Sequence, residues 1–119
     1  MILEAKVSRL RKKAIKLSSL FIELMESMCS EFDFKLASPR DENRRAGHVS
    51  FEHHSGFAVS RALASKGIVG DFRAPNIVRF GIAPMYTRFQ DIFDAVTIIR
   101  ETMRADLWKN HENDVSPYT

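Results

Sequence analysis

The chain has 119 residues and a net charge of +3, and 45% of its residues are hydrophobic and 28% charged. This balance is typical of one soluble globular domain, and its apolar runs are too short and too interrupted to span a bilayer. The single cysteine, Cys29, excludes an internal disulfide, and the basic N-terminus lacks the apolar segment of a secretory signal, so we expect a cytoplasmic protein.

The first predicted element is a long helix over residues 2–29. Its apolar residues recur alternately four and three positions apart, a heptad spacing that predicts one apolar stripe. They are Leu3, Val7, Leu10, Ala14, Leu17, Phe21, Leu24 and Met28. Such a helix would measure about 42 Å, whereas a domain of this size has a diameter of about 35 Å. The first turns should therefore project, and then lie on a second copy, lie on another domain or fray.

Basic side chains are concentrated in the first turns of this helix. They are Lys6, Arg9, Arg11, Lys12, Lys13 and Lys16. A basic helix raises nucleic acid as a partner, but no aromatic residues are interleaved with these charges and no binding motif follows them. We interpret them as a solvated face and expect no nucleic-acid partner. Cys29, at the apolar end of the helix, is interpreted as a buried small hydrophobe.

Two strands are predicted after the long helix. Residues 31–38 alternate between apolar and polar side chains, which predicts a first strand. A charged connection without core-forming residues follows over residues 40–47. Residues 48–53 then predict a second strand whose inward face carries Val49 and Phe51.

A short helix is predicted over residues 56–66. Ser55 is a favoured N-cap residue, and Gly67 is well placed to end the helix because glycine readily adopts a left-handed conformation. The inward side of this helix would carry Val59, Ala62 and Leu63.

A β-hairpin is predicted over residues 67–86, with its connection at Ala74, Pro75 and Asn76, because proline cannot donate to a central ladder. Side chains alternate across a strand, so one face of the hairpin is apolar and suited to a core. Its members are Ile68, Gly70, Phe72, Val78, Phe80 and Ile82. The opposite face carries Val69, Asp71, Arg73, Ile77, Arg79 and Gly81.

Two arginines on this polar face, Arg73 and Arg79, are open to two interpretations. Strand arginines commonly lie on the wet side of an antiparallel sheet. Alternatively, a guanidinium on a rigid strand can bind a carboxylate, because its planar fork of donors matches two oxygens at once. Gly81, two residues beyond Arg79, would leave room for a ligand. The spacing alone does not decide between these interpretations.

The last predicted helix ends at about residue 104 and is opened by a capping box of Thr87 and Gln90. Its apolar stripe would consist of Phe89, Ile92, Phe93, Val96, Ile99 and Met103. Leu107 and Trp108 are expected to pack one turn further, and the polar tail to fray.

The predicted order of elements is α-β-β-α-β-β-α. This is an α+β fold with a small, mostly antiparallel sheet of about four strands and helices packed on one face. We expect three parts, which are a long linking helix over residues 1–30, an α+β small domain over residues 31–105 and a frayed tail over residues 106–119.

Histidines invite a metal-site interpretation, which the pattern does not favour. His53 and His54 are adjacent, so on a strand they would point to opposite faces, and no cysteine or carboxylate stands at ligand spacing. Cys29 and the serines have no triad partner, and Gly67 and Gly70 do not form a phosphate-binding fingerprint. We expect no metal.

Several stretches of the chain together resemble a known family. The main one covers residues 62–75 (ALASKGIVGDFRAP), 77–81 (IVRFG) and 83–86 (APMY). Further stretches are residues 16–24 (KLSSLFIEL), 37–40 (ASPR), 45–51 (RAGHVSF) and 88–96 (RFQDIFDAV). They resemble the C-terminal region of kynureninase, a hydrolase of the fold type I pyridoxal-phosphate superfamily. The sequence differs from the usual family residues at Ala46-Gly47 and at Ile82-Ala83. Neither difference affects Arg79.

The resemblance implies the small C-terminal domain of a pyridoxal-phosphate-dependent hydrolase, entered through a linking helix from a large domain. In this family the arginine at the position of Arg79 pairs with the substrate α-carboxylate, and we expect Asp71, Arg73 and Gly81 to support it. The intact enzyme would convert L-kynurenine, or its 3-hydroxy form, to the anthranilate and L-alanine. The cofactor-binding groups would lie in the large domain, so we expect the chain alone to bind no cofactor and to be inactive.

Two functions from other classes remain open. The stripe over residues 3–28 could make the chain a freestanding interaction module that forms a homo-oligomer through the long helix. The basic helix could instead bind nucleic acid through charge, in which case binding would weaken steeply with salt.

Overall fold

The computed structural model describes residues 2–39, 48–68, 70–82 and 87–112. Within these ranges the chain forms three α-helices and four strands, in the predicted order. They are α1 (Ile2–Met28), β1 (Lys35–Leu36), β2 (His48–Glu52), α2 (Gly56–Ser65), β3 (Gly70–Arg73), β4 (Ile77–Gly81) and α3 (Phe89–Arg104). Two short 3-10 helices cover Ser30–Phe32 and Leu107–His111. The predicted α+β class is confirmed.

The described strands form one antiparallel sheet in the order β1-β2-β4-β3. Between β2 and β4, Val49 lies opposite Phe80 and Phe51 lies opposite Val78. These four side chains are at most 5% exposed, and residues of all three helices share one core with them. The helices therefore cover one face of the sheet, and the charged residues of the predicted hairpin lie on the other.

The second half of α1 packs into this core. Leu17 and Met25 are almost fully buried. The ring of Phe21 lies 6.1 Å from that of Phe51 and 5.1 Å from that of Phe80, measured between centroids. Aromatic pairs at such separations stabilise the fold beyond the contribution of burying their surface. This contact joins α1 to the two central strands.

The first turns of α1 project from the packed body, as predicted. Residues 4–9 are exposed, and Val7 is 58% exposed. The molecule accordingly measures 52 × 28 × 23 Å along its principal axes and has a radius of gyration of 14.8 Å.

The heptad stripe is only partly confirmed in the second half of α1, because Leu17 and Phe21 are buried but the later members Leu24 and Met28 are not. The buried residues there are Leu17, Ser18, Phe21, Ile22, Met25 and, just after the helix, Cys29. Leu24 and Met28 are only half-buried. A straight helix with 3.6 residues per turn drifts by about 20° per heptad relative to a 3.5-residue repeat, so the buried row here continues in steps of four.

The predicted strand over residues 31–38 is also wrong for most of its length. Ser30–Phe32 is a 3-10 helix, and Asp33 adopts a left-handed conformation with φ of 66°. This conformation interrupts an extended chain, so the strand β1 is limited to Lys35–Leu36. The N–H groups of Ala37 and Ser38 still donate to the Ser50 carbonyl oxygen of β2. Phe34 still reaches the core, since its ring lies 6.1 Å from that of Phe51. The charged connection predicted over residues 40–47 lies outside the described residues.

The predicted hairpin is confirmed as β3 and β4. They are joined at Ala74, Pro75 and Asn76, and the Ala74–Pro75 peptide bond is cis. The Asn76 carbonyl oxygen accepts a hydrogen bond of 3.1 Å from the His53 N–H. A Cβ atom added at Gly56 would lie 3.0 Å from the Asn76 carbonyl carbon and oxygen. The start of α2 therefore packs directly on this turn, which leaves no room for a side chain at position 56.

Helix α2 begins at the predicted residue, with Ser55 in the N-cap position, and ends one residue before the predicted end. Gly67 has the expected positive φ, 84°, and Val59, Ala62 and Leu63 are buried as predicted. Ser55, in contrast, forms no side-chain cap. Its backbone N–H donates instead to His53 Nδ1 at 3.0 Å.

The two adjacent histidines do not point to opposite faces. Strand β2 ends at Glu52, so His53 and His54 lie beyond it, and their rings stack with centroids 4.3 Å apart. His53 is 2% exposed, and Trp108 packs edge-on against it at 5.5 Å. Burial of Trp108 confirms the further packed turn. Residues 113–119 of the predicted tail lie outside the described residues, and the division into three parts stays a prediction.

Helix α3 begins one residue later than a Thr87 cap implies. Arg88 occupies the N-cap position, and its backbone N–H donates to Asp91 Oδ2 at 2.8 Å. Asp91 therefore performs the role expected of Gln90. Of the predicted stripe, Ile92, Val96, Ile99 and Met103 are buried, together with Thr102.

Two members of the predicted α3 stripe are not buried. Phe89 and Phe93 are each 47% exposed. Phe89 lies in the first turn of α3, beside the part of α1 that leaves the core, and there it lines an open pocket of about 510 Å³. The other residues that line it are Lys12, Ile15, Lys16 and Ser19. None of the helices in the described ranges combines the length and apolar character needed to cross a membrane.

Candidate functional site

Arg79 lies near the middle of β4, which has a neighbouring strand on each side. Its chain neighbours Val78 and Phe80 point into the core and are 0% and 5% exposed. Because side chains alternate along a strand, Arg79 projects from the face that the helices leave open. Its side chain is 29% exposed. The guanidinium is thus carried by a hydrogen-bonded central strand and is still accessible from solvent.

Two polar residues lie directly opposite Arg79. Asp71 pairs with it from β3 and Ser50 from β2. Asp71 Oδ2 accepts a hydrogen bond of 2.7 Å from Arg79 Nη2. On the other side, the Ser50 N–H donates to Ser38 Oγ at 2.7 Å. The open face therefore carries a row of three polar side chains, one on each of three adjacent strands.

Sequence reasoning identified Asp71 and Arg79 but missed Ser50. Since Val49 and Phe51 are predicted to face inward, alternation puts Ser50, which lies between them, on the outward face of β2. The register between β2 and β4 was the missing piece of information, because these strands are separated by α2 and β3 along the chain. A directly opposed pair in an antiparallel sheet has Cβ atoms about 4.5–5.5 Å apart, so Ser50 belongs to the surroundings of Arg79.

Arg73 contributes a second positive charge to the same cluster. Its Nη2 lies 3.6 Å from Asp71 Oδ2, the oxygen that Arg79 also contacts. Arg73 and Asp71 are two positions apart on β3 and hence share its open face. Two guanidinium groups and one carboxylate give this cluster a formal charge of +1.

The carboxyl group of Asp71 is stabilised in its ionised form. The hydrogen bond from Arg79 is the largest cause that lowers its pKa, and the charges of Arg79 and Arg73 lower it further. A carboxylate that accepts a hydrogen bond from a cation binds a proton less readily. Asp71 therefore remains charged at neutral pH, and its pairing with Arg79 is a charge-assisted hydrogen bond.

One edge of the Arg79 guanidinium remains available to a ligand. A guanidinium has five N–H donors arranged as two forks, and both forks include Nη2. Within the described ranges, its hydrogen-bond partner is Asp71, through Nη2 alone. Whichever Nη2 hydrogen Asp71 accepts, the other hydrogen and a neighbouring nitrogen still form a complete two-donor edge. That edge has the geometry to bind both oxygens of a carboxylate.

Two glycines affect the space around Arg79. A Cβ atom added at Gly70 would lie 3.2 Å from the Arg79 carbonyl oxygen, so Gly70 allows β3 to approach β4 closely. A Cβ atom added at Gly81 would meet no atom within 4 Å. The strand position two residues beyond Arg79 is therefore open. Val69 and residues 83–86, which adjoin the hairpin, lie outside the described residues.

Other reactive groups show no comparable arrangement. Among the described residues, no three His, Cys, Asp or Glu side chains come together as a group that could hold a metal ion. Cys29 is fully buried, and burial raises the pKa of its thiol to about 11. Its thiol is therefore protonated at neutral pH, in agreement with the interpretation as a buried small hydrophobe.

Comparison with known proteins relates the chain to one family. The family model of the kynureninase C-terminal domain matches residues 10–99. Kynureninase from Pseudomonas fluorescens is 44% identical over 102 residues, which are 86% of this chain and 24% of that protein. Kynureninase from Burkholderia mallei (strain SAVP1) is 41% identical over 103 residues, which are 87% of this chain and 25% of that protein. The chain thus spans about a quarter of the length of these relatives.

A solved structure supports the fold. Acetylornithine aminotransferase from Elizabethkingia anophelis superposes with a TM-score of 0.65 at 20% sequence identity, over 84% of this chain and 25% of that chain. At this identity the likeness concerns the fold alone. The family match and the identity to the two kynureninases are independent of it, and they cover the hairpin that carries Arg79. The chain belongs to the family of kynureninase C-terminal domains.

Proposed function

We propose that this chain is the small domain of a kynureninase-type hydrolase and that Arg79 binds the α-carboxylate of its substrate, L-kynurenine or 3-hydroxykynurenine. The observation that carries the proposal is the two-donor edge of Arg79, displayed on the open face of a central strand. Family membership supports the substrate class. The products would be the anthranilate and L-alanine.

The contribution of Arg79 would be to fix the amino-acid end of the substrate. Two parallel hydrogen bonds to one carboxylate restrict both its position and its rotation. A substrate held in this way presents its scissile bond to the reacting groups at a constant angle, which lowers the entropic part of the barrier. The backbone of β4 is in turn held in place by its pairing with β2 on one side and β3 on the other.

Pyridoxal phosphate is the cofactor that family membership implies for the whole enzyme. When bound, it supplies an electron sink for the reaction at the substrate's amino-acid carbons. The site described above, a guanidinium with a carboxylate partner, fits a substrate carboxylate, and we assign no described residue to the cofactor. We propose that the remaining three quarters of the protein hold it and that this chain alone is inactive.

A chimeric enzyme tests the proposal. In it, this chain would replace the matching C-terminal segment of the Pseudomonas fluorescens kynureninase. We expect the chimera to hydrolyse L-kynurenine and Arg79→Gln to raise KM by at least about 30-fold, because removing one partner of a desolvated ion pair costs about 2–5 kcal/mol. Arg104→Gln is the matched control, since Arg104 is an exposed arginine on α3. A normal KM in the Arg79→Gln chimera would contradict the proposed role.

A second candidate function is a freestanding interaction module that dimerises through the long helix. The specific observation in its favour is the uncovered apolar surface along the projecting part of α1. Val7 is 58% exposed, and Phe89 and Phe93 on α3 are each 47% exposed. Exposed apolar side chains can mark an interaction surface when they form a contiguous patch. Self-association of the chain would support this function.

A further inference from the structure

We propose that Asp71 and Arg73 act together as positioning residues for Arg79. Asp71 holds the guanidinium so that its free edge faces the ligand, and Arg73 offsets the negative charge of Asp71. This inference rests on the carboxylate-binding role proposed for Arg79. It assigns one task to Asp71, whose Oδ2 lies close to both arginines, and a separate task to Arg73.

The orienting task falls to Asp71 because of its geometry. Arginine has a long, flexible side chain, and a single ligand contact cannot select one of its many rotamers without an entropic cost. Asp71 lies directly opposite Arg79 and has a short side chain with two torsions. Its Oδ2 accepts from Nη2 at 2.7 Å, which is the distance of a charge-assisted hydrogen bond. The guanidinium is therefore placed before any ligand arrives.

This arrangement also creates an electrostatic problem. The carboxylate of Asp71 would lie close to a ligand carboxylate bound on the same guanidinium, and like charges repel each other. A lone Asp71–Arg79 pair is formally neutral and would attract an anion weakly. A further positive charge nearby would restore the attraction for an anion.

Arg73 supplies that charge without disturbing the orientation. Its Nη2 lies 3.6 Å from Asp71 Oδ2, which is an ion-pair distance but too long for a hydrogen bond. Arg79, at 2.7 Å, therefore keeps the hydrogen bond to this oxygen. Arg73 is 58% exposed, against 29% for Arg79, so it lies at the solvent side of the cluster. The cluster keeps its charge of +1, and Arg79 keeps its attraction for a carboxylate.

The two tasks predict a specific pattern of kinetics in the chimeric enzyme. We expect Asp71→Asn to raise KM for L-kynurenine about tenfold with kcat nearly unchanged, because it removes a hydrogen bond between charged groups. Asp71→Glu should restore part of the loss. Arg73→Gln should raise KM about threefold, in line with an exposed ion pair. In the Asp71→Asn background, Arg73→Gln should raise KM by less than threefold, because no carboxylate remains to be offset.

The controls separate this inference from the proposed function. Arg104→Gln removes an equally exposed arginine from α3 and should leave KM unchanged in both backgrounds. If Arg79→Gln raises KM but the Asp71 and Arg73 variants do not, the positioning inference is wrong and the carboxylate role stands. Additive effects of Asp71→Asn and Arg73→Gln would also overturn it. If Arg79→Gln has no effect, both fail.

A measurement on the chain itself excludes a purely structural explanation. In nuclear magnetic resonance spectra, the Nη groups of Arg79 should show slowed rotation in the native chain and in Arg73→Gln, but free rotation in Asp71→Asn. Free rotation in the native chain would overturn the inference. A thermal unfolding curve for each variant shows whether the hairpin remains folded under these conditions.

Discussion

Asp71 faces Arg79 across the β3–β4 pairing, and a hydrogen bond of 2.7 Å joins its Oδ2 to Arg79 Nη2. The pair stands on the side of the sheet opposite the helices, so its formation depends on strand register and not on the core. This separation allows the site to be altered without unfolding the domain.

The ionisation of Asp71 should depend on Arg79. The Arg79 hydrogen bond is the main cause of the lowered pKa of Asp71, so Arg79→Gln should return that pKa towards its ordinary value. A carboxyl group with a lowered folded-state pKa stabilises the fold above its unfolded pKa, and this contribution is lost as pH falls through the folded value. Carboxyl carbon shifts followed by nuclear magnetic resonance measure the change. An unchanged pKa in Arg79→Gln would show that the pair does not form in solution.

Acid should destabilise the fold through His53. Burial is the main cause that lowers the pKa of His53 below 6.5, and the charge of His54 lowers it further. The unfolded chain therefore binds the proton more readily, so stability is complete above pH 6.5 and falls below it, by at most about 1.4 kcal/mol per pH unit. Urea unfolding at pH 8 and pH 5 measures this effect. His53→Phe should flatten the profile.

Two glycine substitutions should differ sharply in stability. Gly56→Ala would place a methyl group 3.0 Å from the backbone of Asn76, and forcing these atoms apart should cost about 1–3 kcal/mol. Gly81→Ala meets open space and should change the free energy of unfolding by less than about 1 kcal/mol. Denaturant unfolding compares the two variants. Equal losses would mean that α2 does not pack on the β3–β4 turn as described.

The interaction-module function predicts self-association through α1. Light scattering should then detect a dimer that Val7→Glu abolishes, because Val7 is 58% exposed on the projecting turns. Ser8→Glu is the matched control, since it adds the same charge to the next exposed residue and should leave the dimer intact. A monomer at every concentration would exclude this function.

The hairpin and its polar face could be predicted from the sequence because they depend on local rules. Proline marks the connection and strict alternation assigns Asp71 and Arg79 to one face. Their direct opposition, and the presence of Ser50 beside them, depend on the register between strands. Register follows from the packing of the whole sheet, so alternation within one strand does not reveal it.

The errors share another physical cause. Phe89 and Phe93 fit an apolar stripe, but whether they are buried depends on where α1 leaves the core. In the same way, residues 31–38 alternate like a strand, yet Asp33 turns the chain into a left-handed conformation after only one 3-10 turn. Amphipathic pattern identifies a face that can be buried, whereas the neighbouring elements determine how much of it is buried.

Helix α1 runs without interruption from its exposed first turns to the centre of the domain. Deep in the domain its Phe21 ring touches that of Phe80, the residue next to Arg79 on β4. The exposed first turns and the aromatic packing behind β4 are therefore parts of one continuous helix.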